Sequence, residues 1–340
     1  MKSESLSGLT QAIKGGADYW KSKKLGRPYL EEVVLEKLQQ AILDIVPDIK
    51  ERHKVPADPN KKGRAASVHY TTIGVLMQLL QDQDRAASSE KQITLGKLRL
   101  YDSMHLNDPD EGNYLPRRIA AEPNYAWLAE RRDNLEQDEI EGPLNQIAYM
   151  TSFVAGKKAT DNLVFWRTYG CEGTGCSIEC SVEIKYLQQV LYGDAVIRTI
   201  EILQPILDSL TPIVEATDDS VRGLLAATVW SSLRNVLHLY KSSAYDYENE
   251  RRYVLLSSEV KDADICYEYQ DKPFGLPRIR HYLERPELDF NDLLPSGSVI
   301  TIGPCVPQPN HVRRRLSILA NRALQGRPEI RTSGIPYRQV

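Results

Sequence analysis

Residues 247–256, YENERRYVLL, join two glutamates spaced two apart to an apolar, strand-like run. Residues two apart in a strand share a face, so Glu248 and Glu250 are predicted to project side by side. Paired carboxylates repel, which favours binding of a cation or a developing positive charge. The alternative is a solvated edge strand on which glutamate and arginine pair, and for this spacing alone that alternative is the commoner.

The sequence around this stretch predicts an α+β fold. Strand-like runs follow at 265–269, 278–283 and 299–302, and they precede one helix and a short extended segment. Two helical runs, about 194–216 and 219–241, come before it and are predicted to be an insertion packed on the sheet. Strands clustered late and helices in blocks favour α+β over a regular βαβ alternation.

The N-terminal region is predicted to be a separate helical extension. Apolar residues at helical spacing predict an amphipathic helix over 29–53. The prolines, glycine and polar residues of 55–63 are typical of an exposed connector. We therefore predict an extension over 1–65 and a main domain over 66–340, with the helical insertion at about 194–241.

The first half of the main domain supplies further predicted elements. Asn107 to Gly112 is predicted to be a sharp turn, and the residues from there to Gly142 a loop-rich stretch. Leu163, Phe165 and Trp166 are predicted to point inward from a short helix. The predicted strands are 67–71, 92–101, 147–154 and 176–182, and the predicted helices are one through 73–80 and one at 162–169.

Composition excludes several classes of protein. The chain has 340 residues, 41% hydrophobic and 26% charged, which is typical of a folded globular protein. A net charge of -3 provides no overall field for nucleic acid or anionic membranes. No apolar run approaches a membrane span, and the first residues lack a secretory leader, so we expect a cytoplasmic protein, or one exported by another type of secretion system.

The cysteines and the glycine-rich stretch do not indicate a metal or phosphate site. Five cysteines in a long chain argue against a disulfide framework, and Cys171, Cys176 and Cys180 lack zinc-ligand spacing. We expect thiols on or beside a buried strand and no metal. Gly170 to Gly175 departs from the dinucleotide fingerprint and precedes a strand, so a turn is predicted.

Other polar residues carry weaker signals. Ser152, near the end of a predicted strand, could brace a carboxylate on a neighbouring strand or merely satisfy backbone. His69 and Tyr70 fall on opposite faces of the first strand, and the histidine could bond a sugar hydroxyl or serve the structure.

An ordered set of motifs resembles a widespread bacterial domain family of unknown function, over roughly residue 67 to the end. The motifs are His69-Tyr70-Thr71, Asn107-Asp108-Pro109-x-Glu111, Thr151-Ser152-Phe153, Trp166-x-x-Tyr169, Lys241-x3-Tyr245-x2-Glu248-x-Glu250-x-Arg252, Ile300-Thr301-Ile302-Gly303-Pro304 and Ser333-Gly334-Ile335-Pro336-Tyr337-Arg338. The order His, Ser, E-x-E is also similar to that of mono-ADP-ribosyltransferases. The resemblance implies an ADP-ribosyltransferase-like core, a split mixed or antiparallel sheet.

That resemblance implies roles for individual residues. Glu250 would bond the nicotinamide ribose of NAD⁺, Glu248 would face the acceptor, and Ser152 would orient the glutamate. His69, on the segment with Tyr70 and Thr71, would hold the adenosine-side ribose. Arg99 is the alternative to His69, and Tyr70, Tyr101 or Trp166 is the candidate for stacking on nicotinamide.

The implied activity is transfer of ADP-ribose from NAD⁺ to a macromolecular acceptor. A protein arginine is the first candidate acceptor, and nucleic acid stays open. Analogy at the level of the fold suggests a toxin, effector or phage-defence component. Two alternatives are NAD⁺ hydrolysis in the same cleft, and a non-catalytic binding or interaction module in which E-x-E is a structural ion-pair strand.

Overall fold

The computed structural model describes residues 2–22, 33–57, 63–88, 96–103, 110–129, 148–270 and 278–337. The chain forms two compact units, each built from three stretches of sequence. The helical unit comprises Met1–Lys54, Leu106–Ile147 and Val190–Asp246. The sheet unit comprises Val55–His105, Ala148–Gln189 and Tyr247–Val340. The chain first passes between the units at residues 54–55, before the predicted boundary at residue 65, and residues 66–340, predicted to be one domain, are divided between the two units.

The helices range from one turn to about six turns. None in the described ranges is long and apolar enough to cross a membrane. The α-helices are α1 Lys2–Ser22, α2 Leu35–Glu51, α3 Ile73–Ser88, α4 Tyr114–Ala120, α5 Leu163–Thr168, α6 Ile197–Ala216, α7 Asp219–Leu237, α8 Phe290–Leu293 and α9 Pro309–Ala323. The 3₁₀ turns are Pro123–Leu128, Lys157–Asp161, Ile184–Tyr186, Gly193–Val196, Ser243–Glu248, Ser257–Glu259 and Asp262–Asp264.

The helical unit forms because α2 has a continuous apolar stripe. Leu38, Ile42 and Ile49 lie on one side of α2 and are fully buried. Helices α1, α6 and α7 pack on α2. The two helices predicted to form an insertion on the sheet therefore pack with the N-terminal helices. Their predicted span is also too long, because 193–196 is a 3₁₀ turn and 240–241 is a short strand.

The strands lie mostly in one sheet. They are β1 Arg64–Thr71, β2 Lys97–Asp102, β3 Ala148–Ala155, β4 Cys176–Glu183, β5 Gln188–Gln189, β6 Leu191–Tyr192, β7 Tyr240–Lys241, β8 Glu250–Leu256, β9 Ile265–Gln270, β10 Arg278–Asp289, β11 Val299–Ile302 and β12 Glu329–Thr332. Strands β6 and β7 form a short parallel pair in the helical unit.

The sheet unit contains a mixed, mostly antiparallel sheet. Its strand order is β12-β11-β4-β1-β3-β2-β10-β9, with β8 paired to β3 and β5 paired to β8. Only the β11–β12 pair is parallel among the described strands of this sheet. The predicted α+β class is confirmed.

Strand β3 has three partners, and this forks the sheet. Along one edge, β8 pairs with β3 over 148–154. Along the other edge, β1 pairs only at Val154 and Ala155, and β2 only at Tyr149 and Met150. Because a strand has two edges, β1 and β2 share one of them and diverge from β3 between residues 150 and 154. The backbone of Thr151, Ser152 and Phe153 therefore faces the opening of the fork.

Several local predictions need correction. Phe165 and Trp166 of α5 are buried as predicted, but Leu163 is exposed because it begins the helix on the outward side. The loop-rich stretch after Gly112 contains α4 and a 3₁₀ turn. The 278–283 strand extends to Asp289. Residues 29–32, 92–95, 107–109, 130–142 and Arg338, on which parts of the predictions fall, lie outside the described residues.

Candidate active site

The two glutamates of E-x-E are neighbours, although they do not share a strand. Glu248 ends the 243–248 turn, and Glu250 begins β8. Asn249 between them has a φ of 42°, a left-handed conformation that asparagine tolerates better than most residues. The prediction that both carboxylates project from one strand is therefore wrong, because Asn249 interrupts the extended backbone.

Both carboxylates are buried. Glu248 is 1% exposed and Glu250 is 4% exposed. Strand β8 is also no edge strand, since β3 and β5 pair with it on either side. The solvated-edge alternative is thus wrong about exposure.

Glu250 and Arg252 form a buried ion pair along β8. Arg252 Nε donates to Glu250 Oε1 at 2.7 Å, and Arg252 Nη2 donates to Glu250 Oε2 at 3.1 Å. Because residues two apart on a strand share a face, the Arg252 guanidinium can bond both oxygens of the Glu250 carboxylate. Arg252 is 1% exposed. The pairing of glutamate with arginine expected for a structural strand is therefore present, within the core.

Glu248 accepts a hydrogen bond from Tyr169, which follows α5. The Tyr169 hydroxyl donates to Glu248 Oε1. Burial, and then the adjacent Glu248 carboxylate, raise the pKa of Tyr169 well above its ordinary value. The phenol therefore stays protonated and remains a donor, and it links the W-x-x-Y segment to the E-x-E segment.

Replacing Tyr169 by phenylalanine tests that link. We expect Tyr169→Phe to lower the free energy of unfolding by about 1–3 kcal/mol, because a buried carboxylate loses a donor. Tyr267→Phe is the matched control, since Tyr267 is largely exposed and should change stability by less than about 0.5 kcal/mol. Urea unfolding measures both, and equal effects would show that the Tyr169 hydroxyl contributes nothing.

Ser152 lies beside the Glu250–Arg252 pair on the same face of the sheet. In the β3–β8 ladder, Ser152 is directly opposite Arg252, and Val154 is opposite Glu250. Ser152 and Glu250 are therefore diagonal neighbours, whose Cβ atoms are typically about 7–8 Å apart or somewhat less. The predicted proximity of Ser152 to the glutamate agrees with this register.

His69 lies on the other face, at the fork. Val68 is opposite Val154, so Val68 shares the Glu250 face and His69 does not. His69 Nδ1 donates to the carbonyl of Ser152 at 3.1 Å, and its ring lies 5.7 Å from that of Phe153. In a neutral imidazole with its proton on Nδ1, Nε2 is a hydrogen-bond acceptor. A sugar hydroxyl can donate its proton to such an acceptor.

The titration of His69 gives a pH prediction. Burial lowers the pKa of His69 below 6.5, although the bond to Ser152 opposes the shift. A depressed folded-state pKa means that the unfolded chain binds the proton first, so stability declines as pH falls below 6.5 toward the folded-state pKa. We expect His69→Gln to make this decline shallower. Urea midpoints at about pH 7.5 and about pH 5.5 test it, and identical slopes would contradict it.

Tyr70 and Trp166 are core residues. The Tyr70 hydroxyl donates to the carbonyl of Ala159 at 2.5 Å. The Tyr70 and Trp166 rings pack edge to face, with their centroids 5.0 Å apart. Both belong to an apolar cluster with Val68, Val154 and Phe165. The predicted stacking of either ring on nicotinamide is not supported, because this packing covers the rings. Thr71 pairs with Cys176 at the end of β1.

Arg99 and Tyr101 lie away from the E-x-E segment. Arg99 of β2 pairs with Glu268 at 2.8 Å and stacks over the Tyr282 ring at 4.2 Å. The guanidinium carbon of Arg280 lies 4.1 Å from the centroid of the Tyr101 ring. Strand β2 joins β3 at the end opposite to β1, so of the two candidates for gripping NAD⁺ only His69 contacts Ser152.

Asp161 joins two of the distant motifs, and no sequence pattern predicted this role. Its Oδ1 accepts from Trp166 Nε1 at 2.7 Å and from the Ser333 hydroxyl at 2.6 Å. Its Oδ2 accepts from the Gly334 backbone at 2.9 Å. Asp161 thus joins the W-x-x-Y segment to the S-G-I-P-Y segment. Only the assembled fold shows that these distant motifs share one carboxylate.

The glycine-rich stretch is a turn, as predicted, with Gly175 donating to the carbonyl of Gly170. Cys176 and Cys180 are buried thiols on β4, and burial raises the pKa of Cys180 to about 12. Within the described ranges, no group of three His, Cys, Asp or Glu residues is arranged to hold a metal ion.

No family model, curated protein or solved structure matches the chain. The assignment of function therefore depends on the residues of the site and on the resemblance of their order.

Proposed function

We propose that the sheet unit binds NAD⁺ and transfers its ADP-ribose to a macromolecular acceptor, with Glu250 as the catalytic carboxylate. The observation that carries the proposal is the arrangement of Ser152 and Glu250 on one face of two paired strands. His69, whose side chain lies on the other face, reaches the Ser152 carbonyl at the fork of the sheet. The fork of the sheet at Ser152 also accords with the split sheet that the resemblance implies.

The chemistry suits the carboxylates. When the bond between ribose C1′ and the nicotinamide nitrogen breaks, nicotinamide leaves with the electron pair and positive charge develops on the ribose. A fixed carboxylate stabilises that charge, as it does in glycosidases. Arg252 donates one hydrogen bond to each Glu250 oxygen, which fixes the orientation of the carboxylate that would face the ribose.

In this proposal Glu248 acts on the acceptor, as the base that receives its proton. The acceptor nucleophile forms a bond to C1′ and loses a proton, which the carboxylate of Glu248 receives. A protein arginine suits a carboxylate, since a guanidinium pairs with it in a planar geometry. Tyr169 covers Glu248, so access requires the Tyr169 segment to move as NAD⁺ enters.

One observation favours a second candidate, a non-catalytic binding or interaction module. The Glu250–Arg252 pair is almost wholly buried, which suits a structural ion pair. Under this alternative the protein binds a ligand or partner elsewhere, and NAD⁺ is not consumed.

Labelled NAD⁺ separates the possibilities. The intact chain is incubated with NAD⁺ labelled in the adenylate part, with and without a cell lysate, and the products are followed by intact mass. The proposal predicts nicotinamide release and label on a macromolecule. Free ADP-ribose without a labelled macromolecule would replace transfer by hydrolysis in the same site. Intact NAD⁺ in all samples would reject both and leave the non-catalytic module.

A further inference from the structure

Arg251 is a partly buried cation on β8, next to the Glu250–Arg252 pair. Its Nη1 donates to the carbonyl of Ala66 at 3.0 Å, and its Nε is buried with no acceptor. No carboxylate of the described part of the chain forms an ion pair with it, and burial lowers its pKa. The adjacent Arg252 has a bidentate glutamate instead. Leaving a desolvated guanidinium without a counter-charge is costly, so the position suits an external anion.

The face on which Arg251 lies also carries His69. Arg251 is opposite Phe153 in the β3–β8 ladder, on the face away from Glu250 and Ser152. His69 lies on this face and contacts the Phe153 ring. Phe153 is therefore the shared neighbour of a guanidinium and an imidazole. Ser67, two residues before His69 on the same face, has a buried hydroxyl that makes no hydrogen bond to any residue that the structure describes.

We propose that Arg251 and His69 mark a binding site for a phosphate group. A guanidinium offers several N–H donors in one plane, which matches the oxygens of a phosphate better than a point charge does. The Nε2 acceptor of His69 then meets a hydroxyl of the sugar that carries the phosphate. The ligand class is therefore a sugar phosphate or nucleotide. The inference is independent of the transfer reaction, because phosphate binding here does not require Glu250.

The test is a calorimetric titration of inorganic pyrophosphate, ADP-ribose and NAD⁺ into the intact chain. Wild type is compared with Arg251→Gln and Arg251→Lys, and with Arg314→Gln as a control that removes the same charge from an exposed site on α9. We expect Arg251→Gln to weaken pyrophosphate and ADP-ribose binding by about 10-fold or more, and Arg251→Lys to weaken it less. Arg314→Gln should bind as wild type does.

Thermal unfolding without ligand separates binding from a structural role. Arg251 forms no ion pair with the described residues and loses only its bond to the Ala66 carbonyl, so Arg251→Gln should melt close to the wild-type temperature and show no rise when ligand is added. Equal binding by wild type and Arg251→Gln, or no binding of pyrophosphate and ADP-ribose by wild type, overturns the site. If pyrophosphate and ADP-ribose bind through Arg251 but NAD⁺ does not, the phosphate site stands and the proposed transferase fails. If wild type and Arg251→Gln bind NAD⁺ equally well, the phosphate site fails and the proposed NAD⁺ binding stands.

Discussion

Replacing Arg252 by methionine is expected to lower the free energy of unfolding by about 3–5 kcal/mol, because a buried carboxylate loses two charge-assisted hydrogen bonds. Glu250 and Arg252 are both less than 5% exposed, so water cannot restore that solvation. Urea unfolding measures the change. The matched control is Arg198→Met, which breaks an exposed pair with Glu201 and should cost less than about 1 kcal/mol.

The double variant Glu250→Gln/Arg252→Met should recover most of the lost stability. Removing both charges removes the desolvation cost together with the attraction, so replacing a buried pair is often close to neutral. If Arg252→Met loses no more stability than Arg198→Met, the buried pair is not formed in solution. A double variant as unstable as the single would mean that Arg252 stabilises the fold through contacts other than Glu250.

Under the proposed mechanism, Glu250→Gln is expected to reduce both ADP-ribose transfer and NAD⁺ hydrolysis by about 10²–10³-fold, since it removes the charge proposed to face the developing cation. Glu248→Gln should reduce transfer by about 10²-fold and spare hydrolysis, because Glu248 is proposed to act only on the acceptor. A paired assay of nicotinamide release and acceptor labelling measures both activities. Circular dichroism confirms that each variant is folded.

The double variant also serves as the control for stability in this assay. It lacks the Glu250 charge but is expected to regain stability, so low activity in a folded double variant assigns the loss to the carboxylate. Wild-type activity in Glu250→Gln would remove the proposed mechanism. Equal effects of the Glu248 and Glu250 substitutions on both activities would remove the division of labour between them.

The regular elements could be predicted because their patterns are local. The β-branched apolar run of 299–302 and the apolar stripe of α2 depend only on neighbours along the chain. The strand is found at Val299–Ile302 as predicted, and the helix is found at Leu35–Glu51, within the predicted 29–53. The α+β class followed from the order of such segments. The packing of α6 and α7 on α2 could not be predicted this way, because it depends on which apolar faces meet.

The site was less predictable, since its contacts join distant segments. The E-x-E spacing indicated two glutamates on one strand, but Asn249 is left-handed, so Glu248 lies in a turn and β8 begins only at Glu250. No sequence pattern predicts that Tyr169 donates to Glu248, or that Asp161 accepts from both Trp166 and the Gly334 backbone. The face of His69 also followed only from register, which fixes β1 against β3 at two residues.

The central claim is that the sheet unit binds NAD⁺, and calorimetric titration of NAD⁺ into the intact wild-type chain tests it most directly. The proposal predicts saturable binding at a single site, with a dissociation constant between about 1 μM and about 1 mM, the range usual for enzymes and their substrates. A folded protein that shows no saturable heat up to several times that upper concentration would contradict it.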